Sequence, residues 1–155
     1  MRTARAPIPI TRMDLTLQHD MPGFRGARHF AVEPLVEEEP AIFARLRCTD
    51  SIHLHSGEML NNLSLLVMSP EYLWHDYDVE IGEAMIEELD LSDPDDLALL
   101  VIIHPQDPLS KSTANLYSPL VVNRRTGVAD QLVPTTSEQE FGWPVRAPFP
   151  LDQDD

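Results

Sequence analysis

Leu97-Ala-Leu-Leu-Val-Ile-Ile-His104 is the stretch on which the fold turns. Its apolar run is continuous and partly β-branched, which predicts a central strand buried on both faces. Turn chemistry bounds it on either side, Ser92-Asp-Pro-Asp-Asp96 before and Pro105–Pro108 after. A doubly buried strand needs neighbours, and the flanking sequence supplies them. Downstream, Thr113–Asn123 and Val128–Val133 read as two strands joined by Arg124-Arg-Thr-Gly127, a hairpin signal. Upstream, Gly82–Leu91 has helical spacing, with Met85, Ile86 and Leu89 on one face and Glu83, Glu87, Glu88 and Asp90 toward water. Before it, Tyr72–Ile81 alternates. Tyr77, Val79 and Ile81 stand opposite Asp76, Asp78 and Glu80, so a strand with one apolar and one acidic face is expected.

Nearer the N-terminus, strands are expected over Ile8–Leu17, Arg28–Leu35, Ile42–Arg47 and Leu63–Met68. Asp20-Met-Pro-Gly23 separates the first two, and Glu37-Glu-Glu39-Pro40 ends the second. Residues Thr49–Asn62 are poorly patterned. Residues 1–7 read as a flexible N-terminal tail, 8–150 as one β domain and 151–155 as an acidic C-terminal tail. Seven or eight short strands and one short helix make a mostly β, single-domain, antiparallel barrel-like or sandwich fold. A chain of 155 residues buries enough surface to hold such a core without disulfides or metal.

Charge is unevenly distributed. The formal net charge is −15. From Cys48 to Ser110 there is no Lys or Arg, against 14 Asp or Glu. Such a surface repels nucleic acid and anionic membranes, because phosphate binding needs Lys and Arg. It either complements a basic partner or serves solubility alone. No run of 18 apolar residues occurs, and the basic start MRTARAPIPITRMD lacks the apolar core of a secretory signal. The single Cys48 fits a reducing, cytoplasmic setting and reads more readily as a small buried hydrophobe than as a nucleophile.

Catalytic patterns are sparse. Gly-x-Ser-x-Gly, Gly-x-Gly-x-x-Gly and phosphate-loop motifs are absent. The sharpest enzyme-like feature is His53-x-His55-x-x-Glu58. On a strand the two imidazoles would point the same way, and Glu58 would add an oxygen ligand. That gives an alternative reading, a metal-dependent cupin-like enzyme, against the plainer one of exposed loop histidines. Trp74 and Trp143 suit either interface anchors or core packing.

Four segments carry a family resemblance: Pro22-Gly-Phe-Arg-Gly26 before the His29-Phe30 strand, Asp76-Tyr-Asp-Val-Glu-Ile81, Thr113-Ala-Asn-Leu-Tyr-Ser-Pro-Leu-Val-Val-Asn123 after the Pro105–Pro108 turn, and Trp143-Pro-Val-Arg146. In order and spacing the chain resembles the flagellar assembly factor FliW family from about residue 8 to 150. It departs from the family in a longer, His-rich 49–62 segment, in having Lys111 as its sole lysine, and in Trp at 143 where Tyr is usual. The resemblance implies a cytoplasmic, non-enzymatic, cofactor-free β-barrel-like protein with two protein partners. One is flagellin, through its C-terminal helical region. The other is CsrA, the RNA-binding repressor of flagellin translation, which such a factor antagonises when flagellin has been exported. No direct nucleic-acid or membrane partner is implied. On this view Asp76, Asp78 and Glu80 would steer a basic partner, against the plainer reading of a solvated strand face, and Ile103 and Tyr117 would offer apolar contact to a flagellin helix, with core burial explaining Ile103 as well or better. Asn115 lies in the most specific motif, where a structural reason competes with a binding one.

Overall fold

A computed structural model describes residues 1–36, 40–54 and 56–150. Among the described residues eleven strands form: β1 Met13–Leu17, β2 His29–Pro34, β3 Phe43–Cys48, β4 Ile52–His53, β5 Met59–Leu60, β6 Ser64–Met68, β7 Leu97–His104, β8 Thr113–Ala114, β9 Leu120–Asn123, β10 Val128–Gln131 and β11 Ala147–Pro148. Two short helices, α1 Glu83–Glu88 and α2 Glu138–Phe141, lie outside the sheet. Neighbouring strands run β7-β6-β3-β2-β1-β10-β9, and β9 pairs back onto β7, which closes a seven-stranded barrel. The pairings are antiparallel except β1–β10, which is parallel, with Thr16 opposite Val128.

β7 earns its central place by serving two cores. Leu100 faces the barrel interior with Leu15, Phe30, Leu46 and Val122. Leu97, Leu99, Val101 and Ile103 face outward into a second core with Tyr77, Val79, Ile81, Leu89 and Leu116. Alternate side chains of a strand point to opposite faces, so an all-apolar strand is the signature of cover on both sides. The outer cover is the segment from Pro70 to Leu91 together with the chain around Trp143 and Phe149.

The β9–β10 hairpin forms as its turn residues predict. Gly127 has φ +81°, and a Cβ there would sit 2.5 Å from the Asp14 carbonyl oxygen. Only glycine lets the turn lie this close to β1.

Several expectations are corrected. The first strand begins at Met13 rather than Ile8. The 113–123 stretch is two strands, β8 and β9, separated by a turn that Asn115 holds. α2 is a second helix beyond the single one expected, and its signals are local: Ser137 accepts from the Glu140 amide and Gly142 closes the helix at φ +98°. Within 49–62, β4 and β5 form a small separate hairpin. The expected stop at 37–39 and the C-terminal 151–155 lie outside the described residues.

The largest correction concerns Tyr72–Ile81, which joins no named strand. Tyr77, Val79 and Ile81 are buried, as their alternation requires. Their backbone, however, finds other partners. Residues 1–7, expected as a flexible tail, supply most of them. Arg2 forms an isolated antiparallel bridge with Glu80. The Ile81 amide donates to the Met1 carbonyl at 2.7 Å, and the Val79 amide donates to the Thr3 hydroxyl at 2.9 Å. The Trp143 indole donates to the Asp78 carbonyl at 3.0 Å. Buried amides must be satisfied, and here the chain's own start does the work of a neighbouring strand.

Candidate partner-binding surface

The acids singled out from the sequence do not behave alike. Asp76 is exposed, and among the described residues it forms no ion pair. Asp78 is half-buried and engaged from several sides. Its Oδ2 accepts from Arg2 Nε at 3.1 Å and Nη2 at 2.8 Å, and its Oδ1 accepts from the Thr3 and Ala4 amides at 2.9 and 3.0 Å. Desolvation works against the carboxylate, but the Arg2 bonds and the two amides hold it below its usual range. Glu80 pairs with the N-terminal ammonium at 3.3 Å and with Arg2 at 3.8 Å. Farther along, Glu83 and Glu87 on α1 are exposed and form no ion pair among the described residues. Arg125 takes Asp90 at 2.9 Å and Asp96 at 3.2 Å. Of these acids, Asp76, Glu83 and Glu87 are left without an ion pair among the described residues, and Asp78 is a structural anchor.

The remaining sequence candidates separate in the same way. Ile103 is 3% exposed and sits in the second core, so it offers nothing at the surface. Its alternation partner on the other strand face is Ile102, a distinction that the all-apolar run conceals. Tyr117 is half-buried, donating its hydroxyl to the Thr136 and Pro134 carbonyls while its ring meets Phe141 edge-on at 5.3 Å. Asn115 accepts from the Ser118 amide at 3.0 Å and holds a turn. Trp143 packs edge-on against Tyr77 at 5.0 Å, and Trp74 against Phe149 at 5.9 Å.

His53 and Glu58 are exposed on the β4–β5 hairpin, and His55 lies outside the described residues. Arg45 and Arg47, which share a strand face beside Cys48, both reach Glu33, at 2.9 and 3.2 Å. Those bonds, Arg47 foremost, hold Glu33 below its usual range, although its partial desolvation opposes them. Burial pushes the Cys48 thiol up. A neutral, buried thiol matches the hydrophobe reading.

Two arrangements were not legible in the sequence. His19, Glu88 and Asp130 converge, with potential ligand atoms within 4.8 Å of one another. The His19 Nδ1 lies 2.7 Å from Asp130, and that hydrogen bond raises the imidazole's pKa. Inside the barrel mouth, a cavity of about 30 Å³ is lined by Arg5, Ser69, Glu71 and apolar side chains of β1, β7 and β9. Glu71 is buried, its Oε1 accepting from Ser69 at 3.3 Å and its Oε2 unpartnered among the described residues. Desolvation raises its pKa. The first joins residues far apart in the chain, and the second brings Arg5 to the Ser69–Glu71 pair, and no spacing rule makes either connection.

Comparison with known proteins fits this architecture. The family model described as FliW protein matches residues 4–148. The chain belongs to the FliW family. It is 32% identical over 119 residues to the flagellar assembly factor FliW of Bacillus licheniformis, covering 77% of this chain and 76% of that one. Against the FliW of Bacillus subtilis the identity is 31% over the same shares. A crystal structure of the flagellar assembly factor FliW superposes with a TM-score of 0.67 at 20% identity, covering 87% of this chain and 84% of that one. The closed barrel with its outer cover is thus the FliW fold, and the mostly β expectation holds. No helix among the described residues is long and apolar enough to cross a membrane.

Proposed function

We propose that this FliW-family chain is a non-enzymatic partner-switch factor of the cytoplasm. It binds flagellin and, when flagellin has been exported, a CsrA-type regulator, whose repression of flagellin translation it thereby relieves. The observation that carries the reading is the acidic cover of the barrel. Asp76, Glu83 and Glu87 are exposed and without ion pairs among the described residues, in a 63-residue span that has no cation of its own. An RNA-binding protein must be basic where it grips phosphate, and a field of this sign raises its association rate. The resemblance to the FliW family supports these partners, and the charge pattern supports one of them.

The test is a titration of purified regulator against the chain and against a triple variant, Asp76→Lys, Glu83→Lys and Glu87→Lys. These residues leave the Asp78 anchor intact. At low salt the variant should bind at least about tenfold more weakly, and raised salt should weaken the parent more than the variant. Equal affinity and equal salt response would remove this face from the interface. Flagellin is titrated in parallel, and displacement of bound regulator by flagellin is the expected sign of a switch.

A further inference from the structure

The slot formed by Asp78, Val79 and Glu80 has the features of a peptide-binding site, and it is filled by the chain itself. Arg2 lies extended against it, bridged to Glu80 through the backbone. Its guanidinium grips Asp78 Oδ2 through two nitrogens. The other carboxylate oxygen collects two consecutive amides, those of Thr3 and Ala4. The Thr3 side chain is 2% exposed and accepts from the Val79 amide. Each contact reads either extended backbone or an Arg followed by a small hydroxyl residue. Main-chain pairing gives affinity and side-chain pockets give specificity, which is the logic of strand addition to an exposed edge.

We propose that residues 1–4 are an internal occupant of a docking slot whose external ligand is a basic, extended, Arg-containing segment of a partner protein. Charge complementarity commits the slot to that chemistry: Asp78 and Glu80 face it, Asp76 flanks it in sequence, and the cation present is Arg2. Arg2 and Ala4 of the arm are exposed, the Arg2 side chain at 62%, whereas Thr3 is buried and Met1 packs on the rim of the second core, so exchange has to withdraw those two side chains. An arm that must leave before a partner enters lowers the partner's apparent affinity by the fraction of time the slot is open. The inference rests on the partner-switch reading only for the partner's identity; the slot itself is a property of this chain.

The experiment uses the full chain and an acetylated, fluorescent peptide of residues 1–8, MRTARAPI. The parent chain should bind the peptide measurably, and the Arg2→Ala chain about tenfold more tightly, since its own arm competes less. Adding Asp78→Asn to Arg2→Ala should abolish the gain. In the parent chain, saturating peptide should speed amide exchange at Thr3 and Ala4 while Val79 stays protected. Thermal melts check that each variant is folded, and the exchange measurement on the parent needs no variant. Absence of peptide binding to parent and Arg2→Ala chains alike, or binding that leaves Thr3 and Ala4 exchange unchanged, overturns the slot. The CsrA-type regulator is then titrated in the Arg2→Ala background. Competition by the peptide supports the slot as the regulator's site, and regulator binding that ignores bound peptide overturns that assignment. A regulator that binds no form of the chain overturns the partner-switch reading instead, and peptide exchange alone then decides the slot.

Discussion

Asn123 shows how much one buried polar side chain can hold. Its amide donates to the Leu89 and Asp90 carbonyls at the end of α1, and its oxygen accepts from the Arg125 and Thr126 amides in the hairpin turn. Replacing it with Ala takes away the buried donor to the Leu89 carbonyl and the acceptor of the turn amides, at about 1–3 kcal/mol for a buried group left unpaired. Asn123→Ala should therefore lose about 2–3 kcal/mol in denaturant unfolding, and Gln, one methylene longer, should restore little of it. Gly127→Ala is expected to be comparably severe, because strain at positive φ adds to a Cβ contact of 2.5 Å with a backbone oxygen. His19 makes a pH-dependent contribution. Its folded pKa is raised above 6.5 by Asp130, so the stability it brings is fully present below 6.5 and is lost as pH rises through the folded value. An NMR titration should place the imidazole above 6.5, and Asp130→Asn should return it toward that value.

Among the elements, the outer cover is where sequence reading was most nearly right and most instructively wrong. The alternation of Tyr77, Val79 and Ile81 correctly marked an extended segment with one buried face. A strand also needs a ladder of backbone partners, and periodicity carries no information about those. Here the partners are residues 1–3 and the Trp143 indole. Trp143→Phe removes the bond to the Asp78 carbonyl and should cost about 1 kcal/mol in thermal or denaturant unfolding. A larger loss would mean that its packing on Tyr77 also fails. Glu71 belongs to this scale too, since it sits at the junction of the N-terminal segment and the barrel mouth. Burial raises its folded pKa above the usual 4.5. The native state then holds the proton more tightly than the unfolded chain, and stability falls as pH climbs from 4.5 through the folded value. Unfolding midpoints measured across that range should flatten in Glu71→Gln.

At the scale of the molecule, closure is the decisive event. β7 pairs with β9 at Leu97–Leu100 and with β6 at Val101–Ile103, joining the two ends of the seven-strand order. Leu100, at the hub of the inner core, should lose about 2–5 kcal/mol on truncation to Ala. Amide exchange should be slowest along β7, whose residues lie under cover on both faces, and fast in the β4–β5 hairpin, where Met59 is 55% exposed. Closure also leaves the barrel without a free edge along most of its circumference, so a partner that binds by strand addition must use what lies outside it. The 78–80 segment is such a place.

Local chemistry alone determined much of this protein. The apolar run at Leu97–His104 marked a strand buried on both sides, Arg124–Gly127 marked a hairpin, and the cation-free middle marked an acidic surface. Each of these rests on interactions between residues a few positions apart, or on charge that needs no fold to exist. Only the tertiary structure decided which apolar residues were spent in a second core, as Ile103 was, and which acids remained open, as Asp76 did and Asp78 did not. It also decided that Arg2 would meet Asp78 and that His19 would meet Asp130. Those pairs are separated by more than 70 residues. Chain closure brings them together, and no periodicity of a strand or helix reaches that far.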